Sequence, residues 1–306
     1  MRAEFAAAII QLSQRRPDVV FLSGDLGYMA LEDVRKAMGN RFINAGVAEQ
    51  NMISVAAGLA AMQLMPWVYS IAPFATLRPY EQIRNDVCLP KLPVKIVGNG
   101  GGYGYGIMGG THHALQDIGL MRMLPHMQVY VPLFAMDVAE AVSAMAASKS
   151  PAYLRLNVGL TGLERPAPFG EWRQLAKGDS AVVISAGPVI GGLLDLAKKE
   201  YPGVFDVWSV GALPFKHIPE AALGKIVRTR GLIVIDEHTG AGGLGEAVAA
   251  RLLGTLPVPI HFKSLHAKGY PSGRYGSQRW HQEENALAGP ALHAVLQEFI
   301  HESARC

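Results

Sequence analysis

Cysteine is almost missing from this sequence. There are two in 306 residues, Cys88 and Cys306, and no CxxC pair. That excludes a disulfide framework and a thiolate zinc site, and it fits a reducing cytoplasm. Charge is scarce as well. Only 17% of residues are charged, the net charge is +3, and no basic run reaches five residues, so nothing favours a nucleic-acid partner. Long apolar runs are absent. The small-residue stretch Met52–Met62 falls short of the ~18 residues of a membrane span. Gln11, Gln14, Arg15 and Arg16 interrupt the opening segment, which therefore does not resemble a signal peptide. A GxxxxGK[ST] phosphate loop is also lacking. What remains is the expectation of a soluble, cytoplasmic protein. Half of its residues are hydrophobic, and its length suits about two domains.

What is present is a regular alternation of strand-like and helix-like segments. Phe5–Leu12 has helical spacing, Pro17 stops it, and Val19-Val-Phe-Leu22 reads as a buried parallel strand. Ser23-Gly24-Asp25 follows at the end of that strand, where Asp25 can face a ligand or merely cap a turn. The stretch Arg41-Phe-Ile-Asn-Ala-Gly-Val-Ala-Glu49-Gln-Asn-Met52 organises the rest: a short strand, a tight turn, then a helix opened by Glu49. A carboxylate there either complements the helix dipole or sits where α/β sheets bind ligands. Pro66–Ile71 is another strand, leading to Phe74 and Arg78 and then a helical pattern from Pro79. Phe74 is either core or a stacking surface.

Lys91–Val97 predicts a strand, followed by eight glycines in the thirteen positions Gly98–Gly110. Such a segment permits positive φ and close backbone approach. It ends in Thr111-His112-His113 ahead of an expected helix, Ala114–Leu124, which puts His112 on a loop suited to a site. Arg155, in the strand-like Ala152–Leu156, needs a partner or an anionic ligand. Pro, Gly and charges cluster between Gly159 and Gly178. The expected division is a first domain over 1–160, a linker over 161–177 and a second domain over 178–306. Each domain is of the α/β class with a parallel sheet. In the second, His238 reads as a structural histidine at a strand edge, and the aromatic, glycine-rich tail Tyr270–Trp280 as a cover over an edge or a partner.

Five motifs together resemble the transketolase family, in order and at fitting spacings over nearly the whole chain. They are Asn44-Ala-Gly-Val-Ala-Glu49-Gln-Asn-Met, Pro73–Arg84, Gly109-Gly-Thr-His112-His-Ala-Leu-Gln-Asp117, Tyr153-Leu-Arg155, and Asp236–Gly245. The resemblance covers only the C-terminal half of a full transketolase: the pyrimidine-binding domain and the C-terminal domain. It implies thiamine diphosphate as cofactor, with Glu49 hydrogen-bonded to N1′ of the aminopyrimidine and Phe74 stacked on that ring. Asp25 would lie near the pyrimidine–thiazolium region. His112 would bind and polarise substrate oxygen, and Arg155 and Arg78 would bind a substrate phosphate or other anion. A carboxyl in the role of Glu49 must hold or share a proton, which burial favours.

Two departures from the family pattern stand out. The family often has Asp at Met108 and a substrate-binding His at Gly100, and neither Met nor Gly makes those side-chain hydrogen bonds. A modified, deoxy or nucleotide-linked sugar, or another ketone, is therefore expected in place of an ordinary pentose phosphate. The family's diphosphate motif, GDG with a later Asn, is also lacking, since Gly24-Asp25-Leu26 has no second glycine. No metal site is expected on this chain. Mg2+ and the diphosphate would be held by an N-terminal, diphosphate-binding partner subunit, in a hetero-oligomer of α2β2 type. The β chain of a two-subunit 2-oxo acid dehydrogenase shares the domain order and is the alternative enzyme. A non-catalytic scaffold subunit is the alternative of another class. A 1-deoxyxylulose 5-phosphate synthase is disfavoured, being a single longer chain.

Overall fold

The computed structural model describes residues 1–27, 30–162, 167–256 and 258–303. Cys306 and part of the expected linker, 163–166, lie outside the described residues. The first half runs α1 (Arg2–Arg15), β1 (Val19–Ser23), α2 (Glu32–Met38), β2 (Phe42–Asn44), α3 (Glu49–Ala61), β3 (Met65–Ile71), α4 (Ala72–Thr76), α5 (Tyr80–Gln82), β4 (Lys95–Asn99), α6 (Asp117–Met123), β5 (Gln128–Tyr130), α7 (Asp137–Ala147) and β6 (Ala152–Leu156). The second half runs β7 (Trp172–Ala176), β8 (Ala181–Ala186), α8 (Gly191–Lys199), β9 (Phe205–Val210), β10 (Ala212–Leu213), α9 (Glu220–Thr229), β11 (Gly231–Thr239), α10 (Leu244–Leu252), β12 (His261–Ala267), α11 (Gln278–Glu284) and α12 (Gly289–Ser303).

Two sheets result, in the order β10-β5-β6-β4-β3-β1-β2 and β12-β11-β8-β9-β7. All pairings are parallel except β10 with β5 and β7 with β9. Strands β1, β3, β6, β8 and β9 are buried along their whole length. Helices cover both faces of such sheets, so their strands carry continuous apolar runs rather than alternation. One apolar cluster extends from Leu22, Met52 and Ile53 through Val129 and Val131 to Val182, Ile184 and Val234, so the two α/β domains share a core. Within it, burial pushes the Cys88 thiol up to about 12, which leaves it protonated and inert.

The linker placed at 161–177 contains β7, which pairs with β9 through Trp172↔Val210 and Arg173↔Ser209. Arg173 carries two donors to the buried Asp137 of α7, Nη1 to Oδ1 at 3.0 Å and Nη2 to Oδ2 at 2.7 Å. No helix among the described residues is long and apolar enough to cross a membrane.

Candidate active site

Glu49 is the first residue of α3 and is only 1% exposed. Ser70 of β3 donates its hydroxyl to Oε1 at 3.2 Å. Arg78, on the turn between α4 and α5, donates Nη1 to Oε2 at 2.7 Å. A buried carboxylate is tolerable here because the helix N-terminus, a hydroxyl and a cation all face it. Gly24, just past β1, lies beside this pair: a Cβ there would stand in ordinary contact, 3.5 Å from Oε1 and 3.4 Å from the Ser70 hydroxyl.

Phe74 in α4 borders the same space. The Cζ of Arg78 lies over its ring, 4.3 Å from the centroid. His112 meets Phe74 edge-on, with ring centroids 5.2 Å apart. Thr111 Oγ1 is 2.9 Å from His112 Nδ1. Asp25 stands at the rim with φ +57°, a conformation Asp tolerates, and accepts a 2.8 Å hydrogen bond from Asn44. Thus Asp25, Glu49, Phe74, Arg78 and His112 gather where β1, β2, β3 and β4 end, the edge at which parallel sheets bind ligands.

Other expectations are corrected. Arg155 is 3% exposed and occupied: Nε donates to Asp117 at 2.9 Å, and Nη2 to the carbonyls of Ala114 and Glu237 at 2.9 and 3.0 Å. It ties the glycine-rich loop to the second domain and is not offered to a substrate anion. Arg78 is likewise engaged, by Glu49 and Phe74. His112 does not adjoin a helix start, because α6 begins only at Asp117. Gly100 has no room for a histidine. A Cβ there would fall 2.2 Å from the ring of Tyr105, at φ +75°. The Tyr105 ring fills that place, its hydroxyl accepting from Asn99 Nδ2 at 2.9 Å and its centroid 5.9 Å from that of His112. Met108 is on the same loop and 54% exposed. Tyr105, Asn99 and Gly100 line one side of a cleft of about 800 Å3, with the start of α1 on the other.

His113 and His238 are structural. His113 Nε2 must donate to the Gly106 carbonyl at 2.8 Å, while Nδ1 faces the Tyr270 hydroxyl at 2.9 Å. Burial holds its pKa below the usual histidine value. His238 Nε2 accepts from Gly119 N at 3.0 Å, so its other nitrogen carries the proton toward the Thr239 carbonyl at 2.8 Å. The aromatic tail covers the glycine-rich loop, with Tyr275 against Gly109 and Tyr270 against Gly110. Glu237 lies inside the Asp236–Gly245 motif, but nothing in the sequence gave it a role. It is buried, accepts from Tyr103 N at 2.8 Å and from Gln278 and Gln282 at 3.0 Å, and burial raises its pKa despite the nearby Arg155. Ser70 and Tyr105 were missed too. Ser70 carried a faint signal, as a hydroxyl inside an otherwise apolar strand.

Residues 1–162 match the family described as transketolase, pyrimidine binding domain. An uncharacterized transketolase family protein of Sinorhizobium fredii is 35% identical over 275 residues, 86% of this chain and 78% of that one. A 6-deoxy-6-sulfo-D-fructose transketolase subunit of a Clostridium species is 32% identical, over 85% of this chain and 83% of that one. An apulose-4-phosphate transketolase subunit of Phocaeicola vulgatus is 29% identical, over 85% of each. Among solved structures, a split gene transketolase described as an inactive beta4 tetramer superposes with a TM-score of 0.83 at 30% identity, covering 98% of both chains. The transketolase of Leishmania mexicana shares the fold with a TM-score of 0.81 at 17% identity. The likeness takes in 98% of this chain and 45% of that one.

Proposed function

The chain belongs to the transketolase family, and from that premise we propose that it is the pyrimidine-binding and C-terminal half of a two-subunit, thiamine diphosphate-dependent transketolase. The reaction moves a two-carbon ketol unit from a ketose to an aldehyde, on a modified sugar. The observation that carries this is Glu49: a carboxyl 1% exposed, bonded at Oε1 by Ser70 and at Oε2 by Arg78, whose guanidinium lies over the Phe74 ring. These residues suit an aminopyrimidine, because a flat ring with a nitrogen acceptor at its edge needs a carboxyl to share a proton with and an aromatic face beside it. When bound, the cofactor supplies the electron sink for the two-carbon unit. Glu49 holds and shares the proton at N1′, Phe74 orients the ring, and Asp25 flanks it. His112, with Nδ1 engaged by Thr111, turns Nε2 to a substrate oxygen.

The wall near His112 supports a non-standard sugar. It offers the phenol of Tyr105 in place of an imidazole, and the same loop carries the thioether of Met108 in place of a carboxylate. Relatives named for 6-deoxy-6-sulfo-D-fructose and for apulose 4-phosphate agree with that choice. The diphosphate and Mg2+ fall to a partner subunit with a GDG motif, in an α2β2 assembly. The split gene relative whose beta4 tetramer is inactive agrees with this need for a partner.

The test is to assay ketol transfer from D-xylulose 5-phosphate and from 6-deoxy-6-sulfo-D-fructose, with pyruvate as control, using the chain with and without a GDG-containing partner. Turnover is expected only with the partner, and Glu49→Gln is expected to lower kcat by about 100-fold or more. Full activity of the lone chain, or of the Glu49→Gln pair, would refute the proposal.

A further inference from the structure

Arg78 makes both of the contacts proposed above for the aminopyrimidine. Its guanidinium is flat, carries N–H donors, lies over the Phe74 ring at 4.3 Å and donates to Glu49 Oε2 at 2.7 Å. The positions are set by the chain. Phe74 and Arg78 are four residues apart across the end of α4, so both side chains project to one side, toward the N-terminus of α3. Glu49 is buried and bonded by Ser70, which leaves it little room to move. Arg78 can, because its side chain is 42% exposed and its turn faces solvent.

The geometry points to Arg78 as a self-made plug: this guanidinium holds the pyrimidine place closed and must swing out before the cofactor can pair with Glu49. The inference rests on the thiamine diphosphate reading and adds the regulation of that same site. Closure has two physical effects. It gives Glu49 a counter-charge, where a buried carboxylate would otherwise have only the Ser70 hydroxyl and the helix N-terminus. It also lowers apparent cofactor affinity by the fraction of molecules in which the place is open. A lysine would preserve the charge but not the flat contact with the ring.

The experiment is a titration of thiamine diphosphate with Mg2+ into the assembled two-subunit complex, followed by calorimetry and by the rate of fluorescence change. Wild type is compared with Arg78→Ala, Arg78→Gln and Arg78→Lys. Arg78→Ala and Arg78→Gln are expected to bind at least about tenfold more tightly and to associate faster, with Arg78→Lys between them and wild type. Methylguanidinium added to the Arg78→Ala complex should re-plug the site and weaken cofactor binding, while wild type barely responds. Equal or weaker binding by both neutral variants overturns the plug and leaves the proposed function standing. Failure of every complex, wild type included, to bind thiamine diphosphate overturns both.

Discussion

Gly100 and Tyr105 are a sterically coupled pair. One has no side chain because the ring of the other lies where a Cβ would go, 2.2 Å away, and the backbone at 100 is in the left-handed region. Gly100→Ala should therefore destabilise the chain by about 1–3 kcal/mol in urea denaturation. Part of that cost should vanish in a Tyr105→Ala background, where the ring is gone and only the φ penalty remains, giving a measurable coupling in a double-mutant cycle. At this scale the sequence was informative where a residue type is needed by its own chemistry. Local motifs singled out Glu49, Phe74 and His112, and the fold sets Phe74 against His112 and, through Arg78, beside Glu49; their roles are those proposed above. Arg155 misled, because a buried arginine satisfied by Asp117 and two carbonyls looks, in one dimension, the same as one waiting for an anion. The same blindness hid Glu237, whose partners Tyr103, Gln278 and Gln282 are remote in the chain.

Among the elements, β4 begins on a lysine with no exposed surface. Lys95 Nζ donates to the carbonyls of Ser148 and Ser150 at 2.8 and 2.7 Å, at the turn between α7 and β6. Burial pushes its pKa down to about 7. The unfolded chain, with an ordinary lysine near 10.4, then binds more protons than the folded one between about pH 7 and pH 10. Stability from this group must rise with pH across that window. The melting temperature of wild type relative to Lys95→Met should increase from pH 6.5 to pH 9, and a flat difference would show that Lys95 titrates normally. The core strands were legible because burial on both faces writes an unbroken apolar run. Strands β7, β10 and β12 and helices α9 and α11 were not. Strand β7 is an edge strand with polar positions, β10 has two residues, and α11 owes its place to the tail's packing on the glycine-rich loop.

For the whole molecule, the decisive polar contact is the paired bond of Arg173 in β7 with Asp137 in α7, both buried. Burial alone would raise the Asp137 pKa. The guanidinium and the backbone N–H groups of Phe134 and Leu133 instead hold it below the usual carboxylate range. A depressed carboxyl stabilises fully above its unfolded value, and the gain is lost as pH falls through its folded value. Arg173→Met should cost about 3–5 kcal/mol at pH 7, by removing the counter-charge of a buried carboxylate. Denaturant midpoints should show this gap narrowing below about pH 4, where wild type loses the same interaction. Neither partner of this pair could be matched to the other from sequence, since 36 residues and a domain boundary separate them.

Strand β10 has a further consequence. Although it comes after the second sheet has begun, its two residues lie along the outer rim of the first, against β5. Scission between the halves would strip that rim and leave a row of bare amides and carbonyls ready to recruit a neighbour. The halves are woven rather than strung together, and the first keeps its rim covered only while the second remains attached.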